Sequence, residues 1–213
     1  MPLVRVARTP EDWQAVRSLC CRTGNGGDPI DPARWPLFAE LWVGPYQRLV
    51  PGWTYVAEVE GRVVGYLTGC PDTAAFRRAR RFRVTLRLLA LIACRRYAWN
   101  VDARRTVGLA LRLRRGQESR LAERVPGGLT QTHPAHLHMN VEAAYRGRGS
   151  GTALIERYAR DLRAAGVPGI HLFCGAAPRP FYVRNGFTDL AALEVSPGRW
   201  VYTLGRSLDR SGD

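Results

Sequence analysis

The stretch Tyr145-Arg-Gly-Arg-Gly-Ser-Gly-Thr-Ala-Leu154 decides the fold prediction. An apolar, alternating run over residues 137–141 precedes it, and a run with helical spacing over residues 152–165 follows it. A glycine-rich turn between a strand and a helix presents free backbone N–H groups and the positive end of the helix dipole at one place. The hydroxyl of Ser150 and the guanidinium groups of Arg146 and Arg148 can add donors. The stretch therefore predicts a phosphate-binding turn.

Two common phosphate-binding motifs are excluded by the sequence of this turn. No Gly-Lys-Ser/Thr closes it, as a P-loop requires, and the chain contains no lysine. Its spacing, G-x-G-x-G far along the chain, is not that of a Rossmann dinucleotide site. From the residues alone, a basic surface turn stays open as the alternative, because similar runs occur in disordered RNA-binding segments.

Composition describes a globular chain that is long enough for its own core. It has 213 residues, 46% of them hydrophobic, which allows one large domain or two small ones. Five scattered cysteines without a C-x-x-C pair predict neither a disulfide framework nor a zinc site, and they favour a reducing compartment. The first residues lack the apolar core of a signal peptide, and the apolar run over 86–94 is too short to span a bilayer. We therefore expect a cytoplasmic protein without a membrane segment or a metal.

The positive charge is concentrated in one segment. The formal net charge is +14, and residues 77–120 hold 14 arginines against two acids, 14 − 2 = +12. Such a field attracts polyanions, which makes nucleic-acid binding one candidate function. Base-stacking aromatics are few there, and the arginines can equally be solvated helix faces whose stems cover apolar surface.

The order of predicted elements describes a mixed α/β domain. Strands are predicted over 3–7, 54–59, 62–68, 136–141, 169–174 and 200–204. Helices are predicted over about 10–21, 33–43, 76–96, 107–115, 152–165 and 176–185, and residues 126–134 form a loop. We expect one domain over residues 1–213, with a mixed central sheet flanked by helices and an Arg-rich helical insertion at about 75–125. The glycine turn then lies at the carboxyl end of a strand, where such sheets bind ligands.

Two motifs about 30 residues apart carry a resemblance to a family. Arg146-x-x-Gly149-x-Gly151 resembles the pyrophosphate loop of the GNAT acyltransferase superfamily, and Phe181-Tyr182-x-x-x-Gly186-Phe187 lies where that family has its downstream aromatic motif. The resemblance implies the GNAT fold, acetyl-CoA as cosubstrate, and direct transfer of acetyl to an amine in a ternary complex. A non-catalytic acyl-CoA-binding module with the same fold is the alternative.

Three further stretches give a closer resemblance over nearly the whole chain. His136-Leu-His-Met-Asn-Val141, Leu19-Cys-Cys-Arg-Thr-Gly24 and Leu204-Gly-Arg-Ser-Leu208 are similar to the acetyltransferase-like C-terminal domain of O-GlcNAcase. The eukaryotic domain is regarded as a pseudo-acetyltransferase with a degenerate phosphate loop. Here the loop is intact, as in a bacterial homologue that binds acetyl-CoA, whereas the Arg-rich insertion departs from that family.

The resemblance also assigns roles to individual residues. It implies that the backbone of the strand before the loop holds the pantetheine arm and that the loop holds the pyrophosphate. These cofactor-binding positions are Met139, Asn140, Val141, Arg146, Gly147, Arg148, Gly149, Ser150, Gly151 and Thr152.

Catalysis needs a base for the acceptor amine and an acid for the departing thiolate. Tyr182 is the expected acid by resemblance, Glu142 and His138 are the candidate bases, and Asp28 and Asp72 are candidates for the acceptor site. The identity of the acceptor stays open, small molecule or protein, and a C-terminal strand that pairs across a homodimer is a further hypothesis.

Overall fold

The structure is a computed structural model that describes residues 2–81 and 118–208. Its strands are β1 (Leu3–Val6), β2 (Thr54–Val59), β3 (Arg62–Cys70), β4 (Ala135–Val141), β5 (Gly169–Gly175), β6 (Thr188–Ser196) and β7 (Arg199–Ser207). Its helices are α1 (Pro10–Arg22), α2 (Trp35–Trp42), α3 (Gly44–Leu49), α4 (Thr73–Ala79), α5 (Glu118–Glu123), α6 (Leu129–Thr132), α7 (Ser150–Ala164) and α8 (Arg179–Arg184). Most of the Arg-rich segment lies outside the described residues, including most of the helix predicted over 76–96 and the whole of the helix predicted over 107–115.

The seven strands form one mixed sheet in the order β1-β2-β3-β4-β5-β7-β6. Neighbouring strands are antiparallel except for the central pair β4 and β5, which is parallel. The predicted fold class, a mixed α/β sheet flanked by helices, is confirmed.

Helix α7 packs on one face of the sheet and its burial fixes that helix in place. Leu154, Ile155 and Leu162 are fully buried in the core cluster that holds Leu67 and Leu137 from the sheet. The hydroxyl of Tyr158 donates to the carbonyl of Cys70 (3.0 Å) and that of His136 (2.8 Å), and so ties α7 to β3 and β4.

Helices α1 to α4 cover the opposite face. Val16, Leu19 and Phe38 pack against Val56 and Tyr66 of the sheet. Strand β4 therefore lies between two helical layers, with Leu137, Met139 and Val141 directed toward α7 and His136, His138 and Asn140 toward α2.

Helix α1 begins with a capping box formed by Thr9 and Asp12. The Thr9 hydroxyl accepts from the Asp12 N–H, and the Asp12 carboxylate accepts from the Arg8 and Thr9 N–H groups and from both ends of the Arg5 guanidinium at 2.7 Å. Asp12 is buried, and the hydrogen bonds from Arg5 hold the pKa of its carboxyl well below the usual range.

Replacing Asp12 with alanine should lower the free energy of unfolding by about 2–3 kcal/mol. The backbone N–H groups of Arg8 and Thr9 and the guanidinium of Arg5 would lose the carboxylate that accepts their hydrogen bonds. Since the folded-state pKa is depressed, this contribution is complete above pH 4–5 and is lost as the pH falls toward the folded pKa. Urea unfolding from pH 7 to pH 3 would measure it, with the exposed Glu123→Ala in α5 as control. An Asp12→Ala loss that stays constant over this pH range would contradict the assignment.

Several element predictions need correction. Strand β6 is absent from the prediction, because Leu-Ala-Ala-Leu-Glu at 190–194 favours a helix locally, whereas pairing with β7 makes it a strand. The predicted helix over 33–43 is a 3-10 turn, Pro32–Arg34, followed by α2, and α3 was not predicted. The predicted loop over 126–134 contains α6. Helix α4 begins at Thr73 rather than at Phe76, because Asp72 caps it.

Candidate active site

Strands β4 and β5 separate soon after they meet. Their pairing is limited to Ala135 with Ile170 and His136 with His171. On the outer sides, β4 stays paired with β3 as far as Val141, and β5 stays paired with β7 as far as Gly175. The separation leaves an opening between 137–141 and 172–175, and along it the inner edge of β4 has no strand partner among the described residues. Such an edge can hydrogen-bond an extended ligand.

The glycine turn lies at the end of this opening. Gly147 (φ 74°) and Gly149 (φ 84°) adopt the left-handed conformation, and a Cβ at either position would meet no atom within 4 Å. Gly149 is the N-cap of α7, with no side chain capping the first N–H groups of the helix. The backbone conformation therefore requires glycine, and the space in front of the turn is open.

The Ser150 hydroxyl is the second sign of a ligand at this turn. Ser150 is buried, and its Oγ has no hydrogen-bond partner within the part of the chain that the structure describes. An unpaired buried hydroxyl is costly unless something else satisfies it. Together with the free helix N–H groups it fits a phosphate group, so the residues present suit the pyrophosphate of acetyl-CoA.

The two arginines of the turn differ in their contacts. Arg146 donates from Nε to the Val141 carbonyl (3.0 Å) and from Nη2 to the Gly27 carbonyl (3.4 Å), so it fastens the turn to β4 and to the first loop. The guanidinium of Arg148 lies 5.6 Å from the ring centroid of Tyr145 and is exposed. Of the two, Arg148 is better placed to move toward an anion. Thr152, the third residue of α7, is exposed.

Helix α8 closes the opening on the side of α7. A Cβ at Gly151 would lie 2.9 Å from Cζ of Phe181 and 3.5 Å from Cε of Met139. The glycine is therefore needed because α8, the start of α7 and β4 meet there. Next to Phe181, the ring of Tyr182 packs against Phe181 (5.2 Å between centroids) and Phe187 (5.7 Å).

Tyr182 is buried, and no described residue forms a hydrogen bond with its hydroxyl. Burial raises the pKa of this phenol above its ordinary value of 10, with Cys174 adding to the shift. The hydroxyl is therefore protonated at neutral pH and able to donate its proton.

An aromatic cleft lies on the other side of the opening, under α2. The ring of His138 stacks on Trp42 (6.3 Å between centroids, 28° between planes) and lies 6.2 Å from Tyr66. Desolvation by these neighbours lowers the pKa of His138 to about 4. The residue is exposed to solvent in the cleft, which weakens this penalty, but both effects leave a neutral imidazole at pH 7.

A second histidine on the same face forms a buried network. Tyr46 Oη lies 2.7 Å from Nε2 of His136, and Nδ1 of His136 lies 2.8 Å from Thr73 Oγ1 and 3.1 Å from Cys70 Sγ. Desolvation lowers the pKa of His136 well below its ordinary value. His136 is not among the predicted site residues, although the strict alternation of His136, His138 and Asn140 along β4 places all three on one face.

The acidic candidates have other partners. Glu142 accepts from Arg22 (3.0 Å) and from Arg62 (2.7 Å), so its carboxylate is held by two guanidinium groups. Asp72 accepts from the Ala75 N–H (2.9 Å) as the N-cap of α4, and Asp28 is exposed in a turn with Asn25. The structure therefore brings the loop residues, Met139 to Val141 and Tyr182 to one opening, and gives Glu142 and Asp72 structural contacts.

Within residues 2–81 and 118–208, no group of three or more histidine, cysteine or acidic side chains could hold a metal ion. No helix in these two ranges is long and apolar enough to cross a membrane.

Comparison with known proteins agrees with this geometry. Residues 114–189 match the family model for the acetyltransferase (GNAT) domain. The crystal structure of SsHAT is 32% identical to the chain, with a TM-score of 0.74, over 98% of this chain and 99% of that one.

More distant structures share the fold alone. Ard1 from Thermoplasma volcanium is 16% identical over 97% of each chain, with a TM-score of 0.55. The ribosomal-protein-S18-alanine N-acetyltransferase from Escherichia coli is 12% identical over 100% of this chain and 97% of that one, with a TM-score of 0.53. The identity to SsHAT over nearly the full length of both proteins, and the match of the domain model to the segment that holds the glycine turn, show that this chain belongs to the GNAT acetyltransferase family.

Proposed function

We propose that this protein is an acetyl-CoA-dependent N-acetyltransferase that joins an acetyl group to an amine by direct attack. The observation that carries the proposal is the opening between β4 and β5, which ends at the glycine turn and its unpaired Ser150 hydroxyl. An extended arm with a pyrophosphate at one end has the shape and the charge that this site accommodates.

Backbone groups would do most of the binding. The N–H groups of Gly147 to Gly151 and the Ser150 hydroxyl would hold the pyrophosphate. The unpaired edge of Met139 to Val141 would hold the pantetheine arm as an added strand. Bound acetyl-CoA would supply the acetyl group as a thioester, and a β4 N–H directed at its carbonyl oxygen would stabilise the charge that develops during attack.

His138 is the base that the geometry favours. Its Nδ1 has no hydrogen-bond partner among the described residues, its imidazole is neutral, and it borders the cleft under α2. Glu142 remains the other candidate, but two arginines stabilise its charged form and compete for its oxygens. We therefore assign proton removal from the attacking amine to His138.

Tyr182 would act on the opposite side of the opening. As the C–N bond forms and the C–S bond breaks, the amine proton passes to His138 and the departing thiolate takes the phenolic proton of Tyr182. The order of residues across the sheet, His138 under α2 and Tyr182 beside α7, supports entry of the amine from one face and exit of the thiol at the other.

Narrower proposals concern the relatives of this chain and its acceptor site. From the resemblance to the O-GlcNAcase acetyltransferase-like domain, we expect proteins with a related acceptor site among the homologues of that domain. Asp28, at the exposed edge of the first loop, is a candidate for acceptor binding.

A thiol-release assay tests the activity. The protein with acetyl-CoA is screened against primary amines: arylamines, amino sugars, polyamines, and peptides with a free α-amine or a lysine. Amine-dependent release of CoA thiol and a product heavier by one acetyl group are expected with at least one class. Binding of acetyl-CoA without release in any class would support the non-catalytic alternative.

Replacing Tyr182 with phenylalanine should lower kcat by about tenfold, which is a modest loss because a thiolate is a good leaving group even without an acid. The affinity for acetyl-CoA should hardly change, since the ring packing is kept. Steady-state kinetics would measure the loss, with Tyr55→Phe, whose hydroxyl donates to Asp161 near the C-terminal end of α7, as the control. Equal turnover in wild type and Tyr182→Phe would remove Tyr182 as the acid.

A further inference from the structure

The first loop, residues 24–28, borders the aromatic cleft at one end. A Cβ at Gly24 would lie 2.9 Å from Cε1 and Cζ of Phe38, so the loop begins directly against that ring. The Phe38 ring lies 5.9 Å from the ring of Trp42, which stacks on His138. The position of the loop therefore affects the wall of the cleft into which, under the proposed function, the acceptor amine enters.

Arg146 of the glycine turn holds the other end of this loop. Its Nη2 donates to the Gly27 carbonyl (3.4 Å) and its Nε donates to the Val141 carbonyl (3.0 Å), so one guanidinium joins the loop to the end of β4. Gly27 has a φ of 113°, and a Cβ there would lie 3.3 Å from Nη2 and 3.4 Å from Nη1 of Arg146. Because Gly27 has no side chain, the planar guanidinium can lie against the loop.

A second link joins the same two parts of the chain. Arg22, the last residue of α1, donates to the carboxylate of Glu142 (3.0 Å), which directly follows β4. Glu142 and Arg146 lie on the two sides of the 3-10 turn Ala143–Tyr145. The end of α1 and the loop after it are therefore attached at two points to the segment that leads from β4 into the glycine turn.

We propose that Arg146 is a positioning residue, which fixes the first loop against the glycine turn and so sets the wall of the aromatic cleft. The resemblance implied a cofactor-binding role for this arginine instead. The proposal rests on the proposed function for the identity of the two ligands. It gives Arg146 and Gly27 an effect on binding of the acceptor amine, although neither residue touches the reacting atoms, and it leaves the pyrophosphate to the backbone N–H groups, the Ser150 hydroxyl and Arg148.

The contacts of the two arginines of the turn support this division. A bound phosphate would have to displace two carbonyl acceptors from Arg146, whereas Arg148 forms no hydrogen bond with a described residue and lies over the Tyr145 ring. A lysine at position 146 would keep the positive charge that attracts a phosphate, but it lacks the flat fork of donors that lies against Gly27. Arg146→Lys therefore separates the two roles.

Hydrogen–deuterium exchange of the full chain without ligands tests the attachment directly. The loop amides with backbone acceptors are those of Asn25, Gly27 and Asp28. We expect exchange in the peptide over residues 24–30 to be about fivefold faster in Arg146→Lys than in wild type, the change that loss of one hydrogen bond produces. Exchange at the wild-type rate in this variant would overturn the proposal.

A double-mutant cycle separates the contact from backbone strain. Gly27→Ala places a Cβ against the guanidinium and adds the strain of a side chain at positive φ, and this strain is the same with arginine or lysine at position 146. We expect the double variant to exchange at about the rate of the faster single variant. Gly26→Ala, whose Cβ would meet no atom within 4 Å, is the control, and its effect should multiply with that of Arg146→Lys. Multiplication for Gly27→Ala as well would overturn the proposal.

Ligand binding tests which of the two ligands the attachment serves. In Arg146→Lys, the KM of the amine should rise at least about fivefold, while the Kd of acetyl-CoA stays within about threefold of wild type. An unchanged amine KM would overturn the proposal. So would a loss of acetyl-CoA affinity in Arg146→Gln that lysine restores, because it would identify a charge contact with phosphate. If thiol release fails with every amine, the proposed function fails, while the exchange measurement still decides whether Arg146 fixes the loop.

Discussion

Replacing Gly149 with tryptophan should abolish binding of acetyl-CoA, with an affinity at least ~100-fold weaker, or ~2.8 kcal/mol. Gly149 caps α7 in a left-handed conformation, and the space in front of it is open, so an indole would fill the place of the pyrophosphate and shield the N–H groups of the helix. Isothermal titration calorimetry of the variant against wild type would measure the loss.

Gly166→Trp is the matched control for this variant. Gly166 also has a positive φ (70°) and open space around it, but it follows the other end of α7. The two variants share the backbone strain of a non-glycine residue, about 1–3 kcal/mol, and differ in their distance from the turn. An equal loss of binding in both would show that the effect is loss of stability, and full binding by Gly149→Trp would remove the turn as the pyrophosphate site.

Replacing His138 with glutamine should lower kcat by about 100-fold, because removal of a general base has an effect of this order. Acetyl-CoA binding should stay within about twofold of wild type, since the cofactor contacts lie on the backbone of β4 and on the turn. Glu142→Gln is the comparison variant, and its smaller effect is expected to come from the loss of the Arg22 and Arg62 ion pairs. A larger fall in kcat with Glu142→Gln than with His138→Gln would exchange the two roles.

The same base assignment fixes the direction of the pH dependence. Because desolvation lowers the pKa of His138, the limb of kcat/KM that reports its protonation should lie below pH 6.5, separate from any limb that comes from protonation of the acceptor amine. A limb at or above pH 6.5 that His138→Gln abolishes would contradict the lowered pKa.

The sequence determines the cofactor side of the site better than the acceptor side. The turn at 145–154 could be predicted because its chemistry is local: glycines for positive φ, a preceding strand and a following helix. The strands predicted over 54–59 and 62–68 follow from local patterns in the same way, and the structure has them as β2 and β3.

The acceptor side depends on contacts between residues distant in sequence. Trp42 of α2 and Tyr66 of β3 contact His138. Both lie so far from His138 in the sequence that no helix or strand periodicity predicts these contacts. The partners of Glu142 are Arg22 and Arg62, which lie far away in the chain. Because the sequence does not show this pairing, Glu142 was predicted as a candidate base. Strand β6 was missed for the same reason, since its pairing with β7 outweighs a sequence with helical propensity.

The most direct test of the central claim is a crystal structure of the protein with acetyl-CoA. We expect the pyrophosphate within hydrogen-bond distance of the N–H groups of Gly147 to Gly151 and of the Ser150 hydroxyl, and the pantetheine arm along Met139 to Val141 between β4 and β5. Density for the cofactor elsewhere, with the turn and the opening left empty, would contradict the account.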